Sequence, residues 1–550
     1  MSSPPPKPTA TNATFRWAAA LACITAVVFV RVVGFGWAGW DDELHVIRNP
    51  GLNPVSVEGV AGFWTAPYEG LYIPLSYMLF AGETLLSRAV VAGEPTAAPD
   101  PRLFHGVSIL LHVVCVMLVW RLLAGAVGGE WPPVAGALLF ALHPLQVETV
   151  AWISEQRGLL ATALSLAAMQ VAGTGGRTKP PPSGRWHDAC GLALFGLAML
   201  AKPQAIIVPA LLALLAGKGS WAAVVAEARR LWSWFLLAAV VAVVTKIQQP
   251  GEWSWRGAEV ALVLRPLVAG DALCFYAEKM LVPVGLCLDH GRTPAVVLAD
   301  PFLCCRAVMA ILVVAGVMTI PRLRAARTPV GLAVVALLPV LGLIPFTFQG
   351  FSTVADRYAY LPMIGPAFGL AMIVAWAERP VRTAVLAGIV GWLGMLAALT
   401  LVQMSVWRDR EALNTHIVSV NPRSSAGRLG LAGVLIEEGR LPEAAEVLRG
   451  AVAVNPDYAK ARYELGSTLH KLGKNQEAEE EYRQAIRLRP SWSYAHNDLG
   501  ILLAEEGRLE EAVRHFRTAT ALRPDVEAHR LNLDRAEAAR GLPDPRVTAP

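Results

Sequence analysis

Four short groups of ionisable residues stand at the ends of long apolar runs, and they are where this chain could do chemistry. The first is Asp41-Asp42-Glu43, directly after the first apolar run. A carboxylate at a membrane surface is costly beside lipid and stable in a watery cleft. There it can take the proton of a hydroxyl group that is too weak a nucleophile by itself. The second group runs from His143-Pro144 to Arg157 and holds Glu148, Trp152 and Glu155 at i, i+4, i+7, the spacing of one helix face. The third is Lys202-Pro203 and the fourth Asp356-Arg357-Tyr358. Lys202 and Arg357 have the charge, and Arg357 the planar fork, to hold a phosphate at headgroup level. Each group also has an ordinary explanation: a hydrated loop, a helix end in water, or a cation snorkelling to the interface.

What would position these groups is a membrane bundle. Of 550 residues, 54% are hydrophobic, too apolar for a soluble protein of this length. A span needs about 20 apolar residues. Runs of that kind lie near 16–36, 103–123, 132–150, 158–172, 188–201, 204–217, 231–248, 302–320, 329–348, 358–377 and 382–404, which makes eleven crossings. Pro144 should break the helix after His143. The segment 261–286 carries Arg265, Asp271, Glu278 and Lys279, which suits an interfacial or re-entrant helix better than a span. With the N-terminus inside, eleven crossings put the basic loops around Arg177, Lys218, Arg322 and Arg379 on the cytoplasmic side. The 37–102 loop, with eight acidic residues against three arginines, then faces outward, as does the tail. Within that loop, 55–64 and 72–90 read as surface helices, and Asn49-Pro50-Gly51 and Asn53-Pro54 as turns. The Pro-rich residues 1–15 read as disordered.

A net charge of +5, spread over loops, excludes nucleic-acid binding as a theme. The seven cysteines show neither zinc nor disulfide spacing. His105 and His112 share a helix face and read as packing residues.

The last 145 residues change character. Pro422, Pro456, Pro490 and Pro524 recur every 34 positions, as do Gly439, Gly473 and Gly507, and Ala444, Ala478 and Ala512. Leu448, Tyr482 and Phe516 share another register. This is the tetratricopeptide pattern, and it predicts three helix pairs and a capping helix over 422–541 after a linker helix at 405–421 and before a short 542–550 tail.

Together, Trp40-Asp41-Asp42…Asn49-Pro50, His143-Pro144-Leu-Gln-Val-Glu148, Ala201-Lys202-Pro203, Asp356-Arg357-Tyr358…Leu361-Pro362 and the repeat tail resemble the transmembrane-and-tetratricopeptide O-mannosyltransferases and their bacterial relatives, which are C-type glycosyltransferases. The resemblance implies an all-α membrane transferase domain over 16–404. It implies transfer of a sugar, mannose in the named family, from a polyprenyl- or dolichyl-phosphate to a protein Ser/Thr hydroxyl. The reaction would invert the anomeric carbon without a metal or other cofactor. Asp41 and Asp42 match the catalytic acidic pair. Lys202 and Arg357 are then expected on the donor phosphate, with Glu148, His143 and Arg157 in the cleft. Gly158 departs from the acidic residue usual a few positions after Glu155, which weakens a role for that turn. The repeats would bind acceptor or partner protein. Ala/Arg/Gly-rich usage points to a bacterial inner membrane with periplasmic repeats, or to a lumenal tail if the source is eukaryotic. Two other readings fit the same residues: transfer to a cell-surface glycan or lipid, or a membrane-anchored scaffold in which only the repeats work.

Overall fold

A computed structural model describes residues 10–91, 98–173, 185–248, 260–377 and 381–540. They are helical throughout, and the only extended pairings among them are the isolated bridges Leu52–Val55 and Tyr68–Leu71. The chain divides into two compact units, Met1–Leu413 and Asn414–Pro550.

In the first unit, five helices are long and apolar enough to cross a membrane: Thr14–Gly34, Pro101–Ala126, Pro301–Thr319, Pro321–Val340 and Thr383–Val406. Two bent pairs, Trp131–Leu142 with Pro144–Ala151 and Trp221–Arg230 with Trp232–Thr245, bring the number to seven if each is one span. Shorter apolar helices follow at Trp186–Ala201, Pro203–Gly217 and Leu361–Trp376. The expected runs fall on helices except that in 329–348 the helix ends at Val340, and length and composition alone license fewer crossings than eleven. The run at 158–172 is the weakest: its helix, Gln156–Val171, opens on Gln156 and Arg157. Apart from Arg306, which pairs with Glu278, Pro301–Thr319 is almost wholly apolar and only 11% buried, as suits a helix whose solvent is lipid.

Some expectations shift. The first helix begins at Ala10, inside the stretch read as disordered. The calls on residues 1–9 and 542–550, and on Arg177 and Arg379, lie outside the described residues. The helix Arg265–Leu281 is not among those apolar enough to span, and it buries Arg265 and Asp271. Asp271 takes two hydrogen bonds from Arg292, at 2.5 and 3.0 Å.

The break at Pro144 is present, with the two helices bent by 54°. His143 is extended, and its Nδ1 accepts from Leu145 N at 3.2 Å, capping the turn that follows. The expected continuous face of Glu148, Trp152 and Glu155 is not formed. Val147–Ala151 ends after five residues, Trp152 is extended, and a 3₁₀ turn at Ile153–Glu155 leads into the next helix. Ser154 N donates to Asp42 Oδ1 rather than along a helix, so the segment turns again at Trp152–Glu155.

The segment after the first apolar helix carries the expected turns and two helices. Asn49 Oδ1 accepts from Gly51 N at 2.9 Å, and Ser56 Oγ caps Val57–Thr65 through Gly59 N. Pro74–Val91 follows. The Phe63 and Tyr77 rings stack 4.4 Å apart in a small core with Leu52, Ile73 and Phe80. A Cβ on Gly51 would fall 2.7 Å from Phe63, so the turn closes only with glycine there.

The second unit is the predicted stack. Helix pairs Ser425–Glu437/Leu441–Val454, Ala459–Lys471/Asn475–Leu488 and Ser493–Glu505/Leu509–Leu522 are followed by Glu527–Arg540. Gly439, Gly473 and Gly507 turn each pair at φ of +75°, +73° and +80°, where a Cβ would be strained. Leu448, Tyr482 and Phe516 are buried against the small residues of the partner helices.

Candidate active site

Asp41 and Asp42 are neighbours in sequence and point to different tasks. Asp42 is fully buried. Its Oδ1 accepts from Ser154 N at 2.9 Å and Ser154 Oγ at 2.5 Å, and its Oδ2 from Ala38 N at 3.2 Å. Burial pushes the carboxyl up to about 7 against those three donors. Asp42 is therefore a fastener between residues 38–42 and the Trp152–Glu155 turn. Asp41 keeps 37% of its side chain exposed and meets Arg157 Nη2 at 2.7 Å. Burial works to raise its pKa, but Arg157, His45 and Arg357 together outweigh it, and the carboxyl stays below its usual range. Glu43 turns away and pairs with Arg48 in an exposed contact.

Arg157 continues the chain of charge. Its Nη2 lies 3.2 Å from Glu155 Oε1, and Glu155 Oε2 accepts from Lys202 Nζ at 2.7 Å. Arg357 Nε approaches the same Glu155 Oε1 at 3.8 Å and donates through Nη1 to Glu148 Oε1 at 2.6 Å. Its guanidinium also lies over the rings of Phe348 (4.3 Å), Tyr358 (4.8 Å) and Trp152 (5.3 Å). The next residue back, Asp356, accepts from Cys287 N at 2.7 Å and lies 2.9 Å from His290 Nε2, which fixes the turn carrying Arg357.

Five of the seven residues singled out in the sequence (Asp41, Glu148, Arg157, Lys202 and Arg357) therefore join one network. Asp42 fastens it from behind. His143 does not join: Nδ1 is taken by Leu145 N and Nε2 by Met280 O, so its place as a cleft residue is corrected to a backbone cap. The hub, Glu155, was undervalued by sequence reasoning because of Gly158. The structure gives that glycine a reason. A Cβ at 158 would sit 2.9 Å from Glu155 Oε2 and 3.4 Å from Lys202 Nζ. A small cavity opens beside it, with Lys202, Arg357, Thr149, Tyr358, Ala336 and Val340 in its lining. Glu148 Oε2 and Thr149 Oγ1 are buried without a hydrogen-bond partner. Among the described residues, no three His, Cys, Asp or Glu side chains are grouped to hold a metal.

Asp41, partly open to water and held ionised by Arg157, is linked through Glu155 to the two cations that line the cavity, Lys202 and Arg357, so the site offers a proton acceptor and groups that can hold an anion. Comparison with known proteins adds to this geometry. The tetratricopeptide repeat model matches residues 411–459, 429–493 and 463–527. The chain is similar to the human protein O-mannosyl-transferase TMTC1, 26% identical over 490 residues and 75% of this chain. It is also similar to protein O-mannosyl-transferase Tmtc2 of Drosophila melanogaster, 32% identical over 109 residues and 19% of this chain. The alignments span 52% and 11% of those relatives' own lengths. Among solved structures, a crystal structure of MamA protein is 22% identical, with a TM-score of 0.23, over 25% of this chain and 75% of that one.

Proposed function

We propose that this chain is an integral membrane glycosyltransferase that moves a sugar, in the manner of the O-mannosyl-transferases it is similar to, from a polyprenyl- or dolichyl-phosphate donor to a hydroxyl, with a protein Ser/Thr as the acceptor. The observation that carries this reading is the convergence of Asp41 with Arg157, Lys202 and Arg357 through Glu155. A scaffold whose work is done by the repeats gives no reason for three cations and three carboxylates to meet in one buried place.

In the proposed reaction the acceptor oxygen attacks the anomeric carbon from the face opposite the phosphate. The bond to the phosphate oxygen breaks, and its electron pair leaves with the phosphate. Asp41 takes the hydroxyl proton as the new bond forms. Arg157 keeps Asp41 ionised in the resting protein, and the arriving phosphate draws Arg157, Lys202 and Arg357 toward itself, which restores basicity to Asp41. Asp42 positions the loop. The repeats present the acceptor or its carrier, on the outer face of the membrane together with the Asp41 loop.

The test is transfer by purified full-length protein from a panel of polyprenyl-phosphate sugars to Ser/Thr peptides. Asp41→Asn keeps the shape and a hydrogen bond to Arg157 but removes the proton acceptor, so it should insert and bind donor normally while losing transfer by roughly 100-fold or more. Parent-rate transfer by this variant would return the loop to a solvated turn. The side of the membrane is read separately: Ser467→Cys in the repeats should react with an impermeant thiol reagent from outside intact cells, and protection of that site would overturn the eleven-crossing arrangement.

A further inference from the structure

The Pro74–Val91 helix packs against Val57–Thr65, Pro101–Ala126, Gln156–Val171 and Arg185–Ala201. Its inward face is unusually polar: Ser76, Glu83, Thr84 and Ser87 are all buried. Two of these side chains reach the backbone or side chain next to a member of the charge cluster. Ser76 Oγ donates to Ala201 O at 2.9 Å, one residue before Lys202. Glu83, two helical turns further along the same face, meets Gln156, which stands between Glu155 and Arg157.

The hydrogen bonds at that second contact do not close if Glu83 is ionised. Gln156 spends its amide Nε2 on Phe104 O at 2.6 Å and Ser108 Oγ at 3.2 Å. Its Oε1 is left without a donor, and so are both carboxyl oxygens of Glu83, which is only 4% exposed. Three buried acceptors without a donor would each cost their full desolvation. The charged and titratable groups on the packed helices do not relieve this. Glu58, Arg102, Arg121, His187 and Asp188 are at the surface, His105 meets Gly36 O, His112 meets Tyr360, and Arg157 bonds Asp41 and Glu155. A proton on Glu83 supplies the donor this contact lacks, and burial pushes that carboxyl well above its usual range.

We propose that Glu83 is a neutral carboxylic acid whose O–H donates to Gln156 Oε1, and that this bond, with Ser76 on Ala201, holds the Glu155–Arg157 turn and Lys202 in register with each other. Glu83 is thus a positioning residue, and its importance for transfer rests on the function proposed above. Its protonation does not.

Glu83→Gln replaces O–H with N–H and keeps the bond to Gln156. Glu83→Leu keeps burial and bulk but not the bond. In full-length protein at neutral pH, the infrared difference spectrum of parent minus Glu83→Gln should contain the carbonyl band of one protonated carboxyl group. The sign of the pH effect follows from the direction of the shift. A carboxyl raised in the folded state favours folding below its unfolded value of about 4.5, and that contribution is lost as the pH climbs toward the folded value. Glu83→Gln should therefore melt higher than the parent near neutral pH, with the gap closing on acidification. In the transfer assay Glu83→Gln should stay near the parent rate. Glu83→Leu should lose turnover by roughly 10- to 100-fold with little change in KM, the scale of a misplaced constellation. A spectrum without the protonated band, or a Glu83→Gln variant that melts lower and transfers as poorly as Glu83→Leu, overturns the proposal. If the parent itself transfers nothing, the glycosyltransferase reading fails, while the spectrum and the melting curves still decide the state of Glu83.

Discussion

In the tetratricopeptide unit the ion pairs recur with the helices. Arg440 with Glu443, Lys474 with Glu477 and Arg508 with Glu511 stand 34 positions apart, and Arg449–Glu477 is repeated as Arg483–Glu511. All are open to water, as with Arg440 and Glu443 at 39% and 60% exposed. In the membrane unit the pairs of the cluster follow no period. They join residues 116, 47 and 209 positions apart, and the Glu155, Glu148 and Arg357 side chains are 1%, 3% and 6% exposed. The first kind decorates a solenoid that apolar packing already holds, and salt screens it. The second kind sets segments of chain against one another, and removing Glu155 or Glu148 strands charge in a place that water does not reach.

The sharpest way to break this contrast is at the hub. Glu155→Leu leaves Lys202, Arg157 and Arg357 short of their shared counter-charge, and it should destabilise the membrane unit by about 3–5 kcal/mol. Denaturation of the parent and variant in matched detergent measures this, and a variant as stable as the parent would mean the cluster carries no more weight than a surface pair. Asp42 sharpens the contrast within the cluster's own support. Its carboxyl, raised to about 7, favours folding below its unfolded value near 3.8, and that contribution is lost as the pH rises through 7. Asp42→Asn should flatten the fall in melting temperature over that window, with a general loss of about 1 kcal/mol for the weakened Ala38 bond. An unchanged pH slope would place the titration elsewhere. At the small end, Glu477→Gln in the repeats should leave the melting temperature of the second unit unchanged within error at physiological salt. A marked drop there would erase the distinction between the two kinds of pair.

The same contrast explains what could be read from the chain beforehand. The repeats were legible to the residue, because each contact that builds them lies within one or two periods and leaves its mark on Pro456, Gly473, Ala478 and Tyr482. The break after His143 was legible because Pro144 acts on its own backbone. The cluster was legible only as a set of suspects. Nothing local to Glu155 reports that Lys202 and Arg357 will reach it, and the vacancy at Gly158 looked like a weakness until Lys202 was seen beside it. The division of labour between Asp41 and Asp42 depends on Ser154, 112 residues away, whose hydroxyl and amide choose one of the two.

That last contact has a consequence for how the protein could change over generations. By joining residue 42 to residue 154, it ties off a hoop of chain that contains both surface helices and the long Pro101–Ala126 span. Because closing a longer loop costs only slowly more, turns inside the hoop, such as Tyr68 to Leu71, can gain or lose residues without moving the knot. Asp41 sits one residue from that knot. The stretch inside the hoop is thus free to drift in length, and to take on new surfaces, while Asp41 is insulated from the change.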